Sequence, residues 1–418
     1  MQRVERHIIK FDKNIDTQCF LSKNLYNYSL YQIKKYYSET NKMLSQYELI
    51  NTLTAENQVD YRALPAQTSQ QIIFSLYKNI KGFFKALKIF KKMPSQFKGQ
   101  PRFPNFKDKK FGRNPVILTG QFQCRLKDGY IYFPEKLNLQ PLKTLVTKIN
   151  QVRIIPKQSH FVFEVVFERE VKQYNLNKDS FISLDLGVDN LIAFISNLAE
   201  RPVLLNGKMV KAENQYYNKK MAEFRSASPF RTTHRMERLS LKRENWIHNY
   251  FHQVSHFLIQ YCIERKIGTI IVGYNKGWKQ ECNLGKKTNQ KFVSIPFDKL
   301  LNQIEYKCED NGINFLKTEE SYTSKVDHLA GETLEKHDIY MGRRIKRGLF
   351  KSSTGALINA DVNGALGISR KVFAKSQDYV FGNWHLMPEA NRGFADNPVK
   401  CNIFTNNYKD KNQILSNR

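Results

Sequence analysis

Acidic residues are scarce in this 418-residue chain: 38 Asp and Glu stand against 67 Lys and Arg, a net charge of +29 at neutral pH. Self-repulsion on that scale is tolerated best beside a polyanion, so the imbalance predicts a nucleic-acid partner. An anionic membrane surface is the rival. Against it, the sequence has no uninterrupted apolar run of spanning length and no lipidation signal. The opening MQRVERHIIK lacks the apolar core and small-residue cleavage site of a secretory signal. A cytoplasmic, nucleoid-associated protein without a membrane partner is therefore expected. Cysteine is sparse too: Cys19, Cys124, Cys262, Cys282, Cys308 and Cys401 lie far apart and never form C-x-x-C. In a cytosolic chain that spacing predicts ordinary thiols, with neither a disulfide frame nor a cysteine zinc site.

The length suffices for two or three domains with real cores. Residues 1–15 read as a strand, after which Asp16 is placed to cap a helix carrying Phe20, Leu25, Leu30 and Ile33. A clearer helix bears Ile72, Ile73, Leu76, Ile80, Phe83, Leu87 and Phe90 on one side and lysines mainly elsewhere. Those lysines suit a solvated face and phosphate contact equally well. Pro94 ends the helix and opens a stretch in which Phe97, Phe103, Phe106 and Phe111 interleave with Arg102, Lys107, Lys110 and other cations. Aromatic faces beside cations suit splayed nucleic acid, and the same phenylalanines equally suit a loop folded back on the core.

From Val116 to Glu170 the pattern is that of strands. CRLKDGYIYFP is a hairpin with Asp128-Gly129 at its turn, and TKINQVRIIP with HFVFEVVFERE flank a polar turn. With the first strand these suggest a small β-barrel interrupted by helices. Beyond residue 178 the order is strand, hairpin, helix, strand, helix, strand, helix, as in an α/β domain with a mixed sheet.

One stretch there, FISLDLGVDNLIAFIS at 181–196, sets Asp185 in an apolar run. A carboxylate in such a place is costly unless a cation compensates it, which makes Asp185 a candidate metal ligand. An Asp bonding backbone N–H groups in the following turn would explain it equally well.

LDLGVDN around Asp185, GYNKGWKQ, NQKFVSIPF, EESYTSK and RRIKRGLFKSSTGALINADVNGAL follow one another in the order found in TnpB proteins. KNLYNYSLY, ALPAQTSQQII, FKGQPRFP and LKDGYIYFP match in the first half, so the chain resembles that family over nearly its whole length. TnpB proteins are insertion-sequence RNA-guided DNA endonucleases related to Fanzor proteins and type V CRISPR effectors. The resemblance implies a wedge β-barrel at 1–15 and 96–178 with a helical recognition lobe inserted at 16–95. A RuvC-type, RNase H-like α/β nuclease domain at 179–376 follows, containing a Cys-less remnant of a zinc-finger insertion at 326–357. The polar tail 377–418 is expected to be partly disordered.

Phosphodiester hydrolysis of this type uses two Mg²⁺ about 4 Å apart, held by clustered carboxylates. By resemblance Asp185 and Asp361 are the first and third acids. The usual second acid, a Glu ending the strand IIVGYN, is missing, and Gly273, Tyr274 and Asn275 stand there. The resemblance to family members with a relocated Glu points to Glu320, three residues before Thr323, with Glu319 in reserve. Many relatives carry two Cys pairs before the last Asp. Residues 326–360 hold only His328 and His337, so no zinc is expected. Lys276, Lys279, Arg343, Arg344, Lys346 and Arg347 join Arg102, Phe103, Lys107 and Lys110 as expected nucleic-acid contacts. The implied partners are a guide RNA of the omega type and target double-stranded DNA. A nuclease-dead RNA-guided repressor and an unguided RNase H-fold nuclease are the alternatives.

Overall fold

The computed structural model describes residues 1–198, 200–274, 294–373 and 398–403. The chain divides into two compact units, Met1–Arg169 and Glu170–Arg418. In the first unit, strand β1 (Gln2–Lys10) is followed by helices α1 (Lys13–Thr40), α2 (Gln46–Ala55), α3 (Val59–Ala63) and α4 (Ala66–Lys92). Asp12, rather than the expected Asp16, caps α1 by accepting from the Ile15 N–H at 2.9 Å. Asp16 lies inside the helix and takes both oxygens to Arg113, at 2.7 Å each. After the helices come β2 (Val116–Thr119), a short α5 (Gly120–Gln123), β3 (Arg125–Lys127), β4 (Tyr130–Tyr132), β5 (Leu142–Lys143), β6 (Gln151–Pro156) and β7 (His160–Glu168).

The turn between β3 and β4 places Asp128 at φ 51° and Gly129 at φ 74°, the double left-handed turn an Asp-Gly hairpin requires. The strands expected in a barrel form two hydrogen-bonded sheets, β1-β7-β6-β2 and β3-β4-β5. β1 pairs antiparallel with β7 from Gln2↔Glu168 to Lys10↔His160, so the helices are an insertion between neighbours of one fold. Ile72, Ile73 and Leu76 of α4 share a core with Leu118, Val152 and Val165 of the sheet.

The second unit contains β8 (Asn177–Leu186), β9 (Asn190–Ser196), β10 (Val203–Asn206), α6 (Lys208–Ser226), α7 (His234–Glu264), β11 (Ile267–Gly273), α8 (Phe297–Asp310) and β12 (Asn314–Thr318). Then follow β13 (Arg343–Lys346), β14 (Leu349–Lys351), β15 (Leu357–Asn359), α9 (Ala360–Phe373) and β16 (Val399–Cys401). The main sheet runs β12-β11-β8-β9-β10-β16. β8, β9 and β10 form an antiparallel meander, whereas β11 and β12 lie parallel to β8. Parallel central strands are buried on both faces, which is why the second half of β8 and all of β11 are buried residue after residue rather than alternately. Ile182, Leu184 and Leu186 pack with residues of α7 and α8. The alternate residues Phe181 and Ser183 meet α9, where the Ser183 hydroxyl donates to the Ala365 carbonyl at 2.7 Å. β16, inside the tail expected to be partly disordered, adds a parallel strand to β10. The rest of the tail beyond residue 403, and 374–397, lie outside the described residues.

Residues 326–360 are organised by β13-β14-β15 and by two buried acids. Asp327 accepts from the Ser352 hydroxyl (2.9 Å), the Ser353 N–H (2.7 Å), the Ser353 hydroxyl (3.0 Å) and the Ala330 N–H (3.3 Å). Glu332 accepts from the N–H groups of Asp327 (2.6 Å) and Met341 (2.8 Å). Those bonds tie the segment's loops to its small sheet. Five cysteines, Cys19, Cys124, Cys262, Cys308 and Cys401, are buried free thiols, and burial pushes Cys19 and Cys124 up to about 12. Among the described residues no helix is long and apolar enough to cross a membrane.

Candidate active site

Strand alternation places Asp185 on the same face of β8 as Ser183, toward α9. The approach is close: a Cβ on Gly364 of α9 would stand 3.0 Å from Asp185 Oδ2 and 3.1 Å from its Cγ. Glycine at 364 thus lets helix and carboxylate share one place. The turn after β8 is closed by main chain alone, Gly187 N–H to the Leu191 carbonyl at 3.2 Å. Asp185 therefore does not serve the turn-bonding role that competes with metal binding. Its carboxyl is held well above the usual carboxylate range by burial first, then by the charges of Glu320 and Asp361, with Arg344 opposing.

Asp361 stands in the first turn of α9. The capping work there is done by Asn359, whose Oδ1 accepts from the N–H groups of Asp361 (3.0 Å) and Val362 (3.3 Å). That leaves the Asp361 carboxylate free of the simple capping role. Its Oδ2 accepts from Asn190 Nδ2 at 2.7 Å, and Arg344 Nη2 lies 3.9 Å from its Oδ1.

Glu320 follows the end of β12, which pairs in parallel with β11 at Gly273↔Thr318. Its carbonyl accepts from the Thr323 hydroxyl (2.9 Å) and N–H (3.3 Å), so the turn into TSK is pinned by Glu320 itself. The side chain lies over Gly273, and burial pushes its carboxyl up to about 7 despite the opposing charge of Lys371. Neighbouring Glu319 is 67% exposed and pairs with Lys371 at 3.3 Å. Of the two acids, Glu320 is the one coupled to Asp185.

Asp185 on β8 thus feels the charge of two further acids, Glu320 past the end of β12 and Asp361 at the start of α9. As the side chains stand, no three His, Cys, Asp or Glu groups among the described residues are gathered tightly enough to hold a metal ion. The donor set nonetheless fits a hard divalent cation, being oxygen only, and such an ion would favour the ionised carboxylates of Asp185 and Glu320 against the burial that raises both and against the like charges that also raise Asp185. Zinc does not fit residues 326–360. His328 spends Nε2 on the Thr323 carbonyl (2.6 Å) and Nδ1 on Arg370 (2.9 Å), and no thiol is present.

The basic run at β13 is partly engaged. Arg347 pairs with Asp189 at 3.1 Å, Arg344 leans toward Asp361, and Arg343 and Lys346 are exposed. In the first unit Phe103 turns inward against Phe83 and Phe84, with ring centroids at 5.3 and 6.4 Å. Lys107 is half-buried over Tyr26, and its main chain is clasped by Asn27. Arg102, Lys110, Phe106 and Phe111 stay exposed. Part of the interleaved loop therefore folds back on the core and part of it stays at the surface. Lys276 and Lys279 lie outside the described residues.

Residue-by-residue reading missed four contributors to this setting: Asn190, Asn359, Gly364 and the placement of Arg344 beside Asp361. Only Asn359, just before an acid opening a helix, carries a local signal of its role. It also missed a cleft of about 580 Å³ in the first unit, of mixed lining, with Gln67, Gln70, Gln71 and Asn150 beside Phe122 and Ile149.

Comparison with known proteins bears on this geometry. Residues 164–279 match the model of a probable transposase family, OrfB_IS605, and residues 297–368 match that of the Cas12f1-like TNB domain. The first segment contains Asp185 and the second contains Glu320 and Asp361. A TnpB-like protein, ORF457 of Acidianus two-tailed virus, is 29% identical over 202 residues, or 45% of this chain and 41% of that protein. The chain thus matches less than half the length of this curated relative. Among solved structures, the Cas12f1 chain of a Cas12f1–sgRNA–target DNA complex superposes with a TM-score of 0.53. That match covers 85% of this chain and 81% of the other at 14% identity, and it shows a shared mixed α/β fold.

Proposed function

We propose that the chain is an RNA-guided, Mg²⁺-dependent DNA endonuclease whose second unit is a RuvC-type, RNase H-like nuclease domain. The observation that carries this is electrostatic: Asp185, Glu320 and Asp361 raise the charge density of one place at the carboxyl ends of parallel strands. The sheet order supports it, since an antiparallel meander extended by two parallel strands is the RNase H arrangement. Bound Mg²⁺ supplies an activated water and relieves charge on the scissile phosphate. Asp185, Glu320 and Asp361 hold the ions. Asn190 orients Asp361 through its 2.7 Å hydrogen bond, and Ser183 fixes α9 against β8. Arg344 and its exposed neighbours Arg343 and Lys346 offer cations for the DNA backbone near the acids.

Guide pairing selects the sequence, and the protein reads a short adjacent duplex motif. The cleft lined by Gln67, Gln70 and Gln71 supports that division, because glutamine amides present the donor and acceptor pair that base edges demand. A second reading, a nuclease-deficient RNA-guided repressor, is favoured by Gly273 at the strand end where the usual Glu is missing. One experiment separates the two: sequence the RNA that co-purifies, then offer a plasmid matching its guide in Mg²⁺. Cutting supports the nuclease, binding without cutting supports the repressor, and absence of a discrete RNA removes both.

A further inference from the structure

We infer that Gly273 is a positioning residue: the missing side chain at the end of β11 is the space in which the Glu320 carboxylate lies. This rests on the nuclease reading for its functional consequence, though its steric content stands alone. β11 and β12 run parallel and in register, with Gly273 opposite Thr318 and the Tyr274 N–H continuing the ladder to the Thr318 carbonyl at 2.8 Å. Glu320 is two residues beyond Thr318, so its side chain crosses back over the end of β11.

A Cβ on residue 273 would fall 2.6 Å from Glu320 Cγ, closer still to its Oε1, and 2.6 Å from Ile368 Cδ1 of α9. The Oε1 contact alone is relieved by swinging the far end of the side chain. The Cγ contact is not, because Cγ moves only by turning χ1, and that carries the whole carboxylate out of the place. The main chain is anchored at this point, since the Glu320 carbonyl accepts from both the Thr323 hydroxyl and the Thr323 N–H. Ile368 is fully buried and closes the remaining side. Glycine at 273 and glutamate at 320 are therefore one device: the acid is delivered from β12 only while the end of β11 is bare.

The test uses the full-length RNA-loaded protein and the variants Gly273→Ala, Glu320→Ala and both together. Gly273→Ala is expected to keep its RNA and to lower cleavage of the matched plasmid about 100-fold, as for a catalytic group displaced by an ångström. Its half-saturating Mg²⁺ concentration should rise, because the displaced group is a metal-binding carboxylate. Independently of activity, Gly273→Ala should lower the thermal transition clearly more when Glu320 is present than in the Glu320→Ala background, where Cγ and Oε1 are gone and only the Ile368 contact remains. An equal thermal cost in both backgrounds overturns the inference and assigns the clash to Ile368, and wild-type cutting by Gly273→Ala overturns it as well. Failure of the nuclease reading shows differently, as a wild-type protein that carries RNA and does not cut, and the thermal comparison still decides the steric claim.

Discussion

Two groups of acids in the second unit meet opposite fates. Asp327 is fully buried and has four hydrogen-bond donors, and Glu332 beside it has two backbone N–H groups. Their oxygens are satisfied by donors that the chain itself supplies. Asp185 and Glu320 are held above their usual range by burial, and Asp185 also by the charges of Glu320 and Asp361. Here the fold concentrates carboxylates. A buried acid whose donors are built in is a structural brace, and carboxylates massed in one place are a site for a cation.

The contrast can be broken or sharpened by substitution. The largest effect is expected on catalysis: Asp185→Asn or Asp361→Asn should reduce plasmid cleavage at least about 1,000-fold, roughly 4 kcal/mol of transition-state stabilisation. Neither should release the bound RNA, which filter binding checks. Next comes Asp327→Ala, which strands the donors of Ser352, Ser353 and Ala330 and should cost about 2–4 kcal/mol in denaturant unfolding. Chelation should leave that unfolding curve unmoved if hydrogen bonds, rather than zinc, brace residues 326–360.

A smaller effect has the opposite sign. Because the folded-state carboxyl of Glu320 is raised to about 7, the native state keeps a proton that the unfolded chain has already released. Metal-free stability therefore falls as pH rises from the ordinary carboxylate range through about 7. In chelator at pH 8, Glu320→Gln should raise the thermal transition by about 2 °C, whereas Asp327→Asn lowers it. Mg²⁺ binding prefers the ionised carboxyl, so the Mg²⁺ needed for half-maximal thermal stabilisation should fall between pH 6 and pH 8. Least of all, Arg347→Ala should change stability by no more than about 0.5 kcal/mol, since that side chain is 74% exposed and Lys211 still pairs with Asp189.

What the sequence disclosed about these two groups follows the range of the interactions involved. Strand alternation, the Asp-Gly turn and the apolar run around Asp185 are local patterns that appear where expected, and the apolar stripe of α4 is buried as far as Ile80, beyond which Phe83, Leu87 and Phe90 are only half-buried. Local reading failed at Asp16, because an Asp four residues upstream also fits a cap and Arg113, far along the chain, competes for the side chain. The brace of residues 326–360 was invisible for a similar reason. Asp327 and Ser352 are ordinary polar residues until the fold places them 2.9 Å apart. Strand β16 was hidden in a polar tail, since three residues gain strand character only by pairing with β10. Resemblance pointed to Glu320, but nothing in the local sequence showed that its side chain lies over Gly273.

The central claim is that Asp185, Glu320 and Asp361 are a metal site used for guided cutting. Its most direct test is the Glu320→Gln protein, loaded with its co-purified RNA and given a matched plasmid in Mg²⁺. The account predicts target binding at the wild-type level and no cleavage, while the wild type linearises the plasmid. Cleavage by Glu320→Gln at the wild-type rate would contradict it.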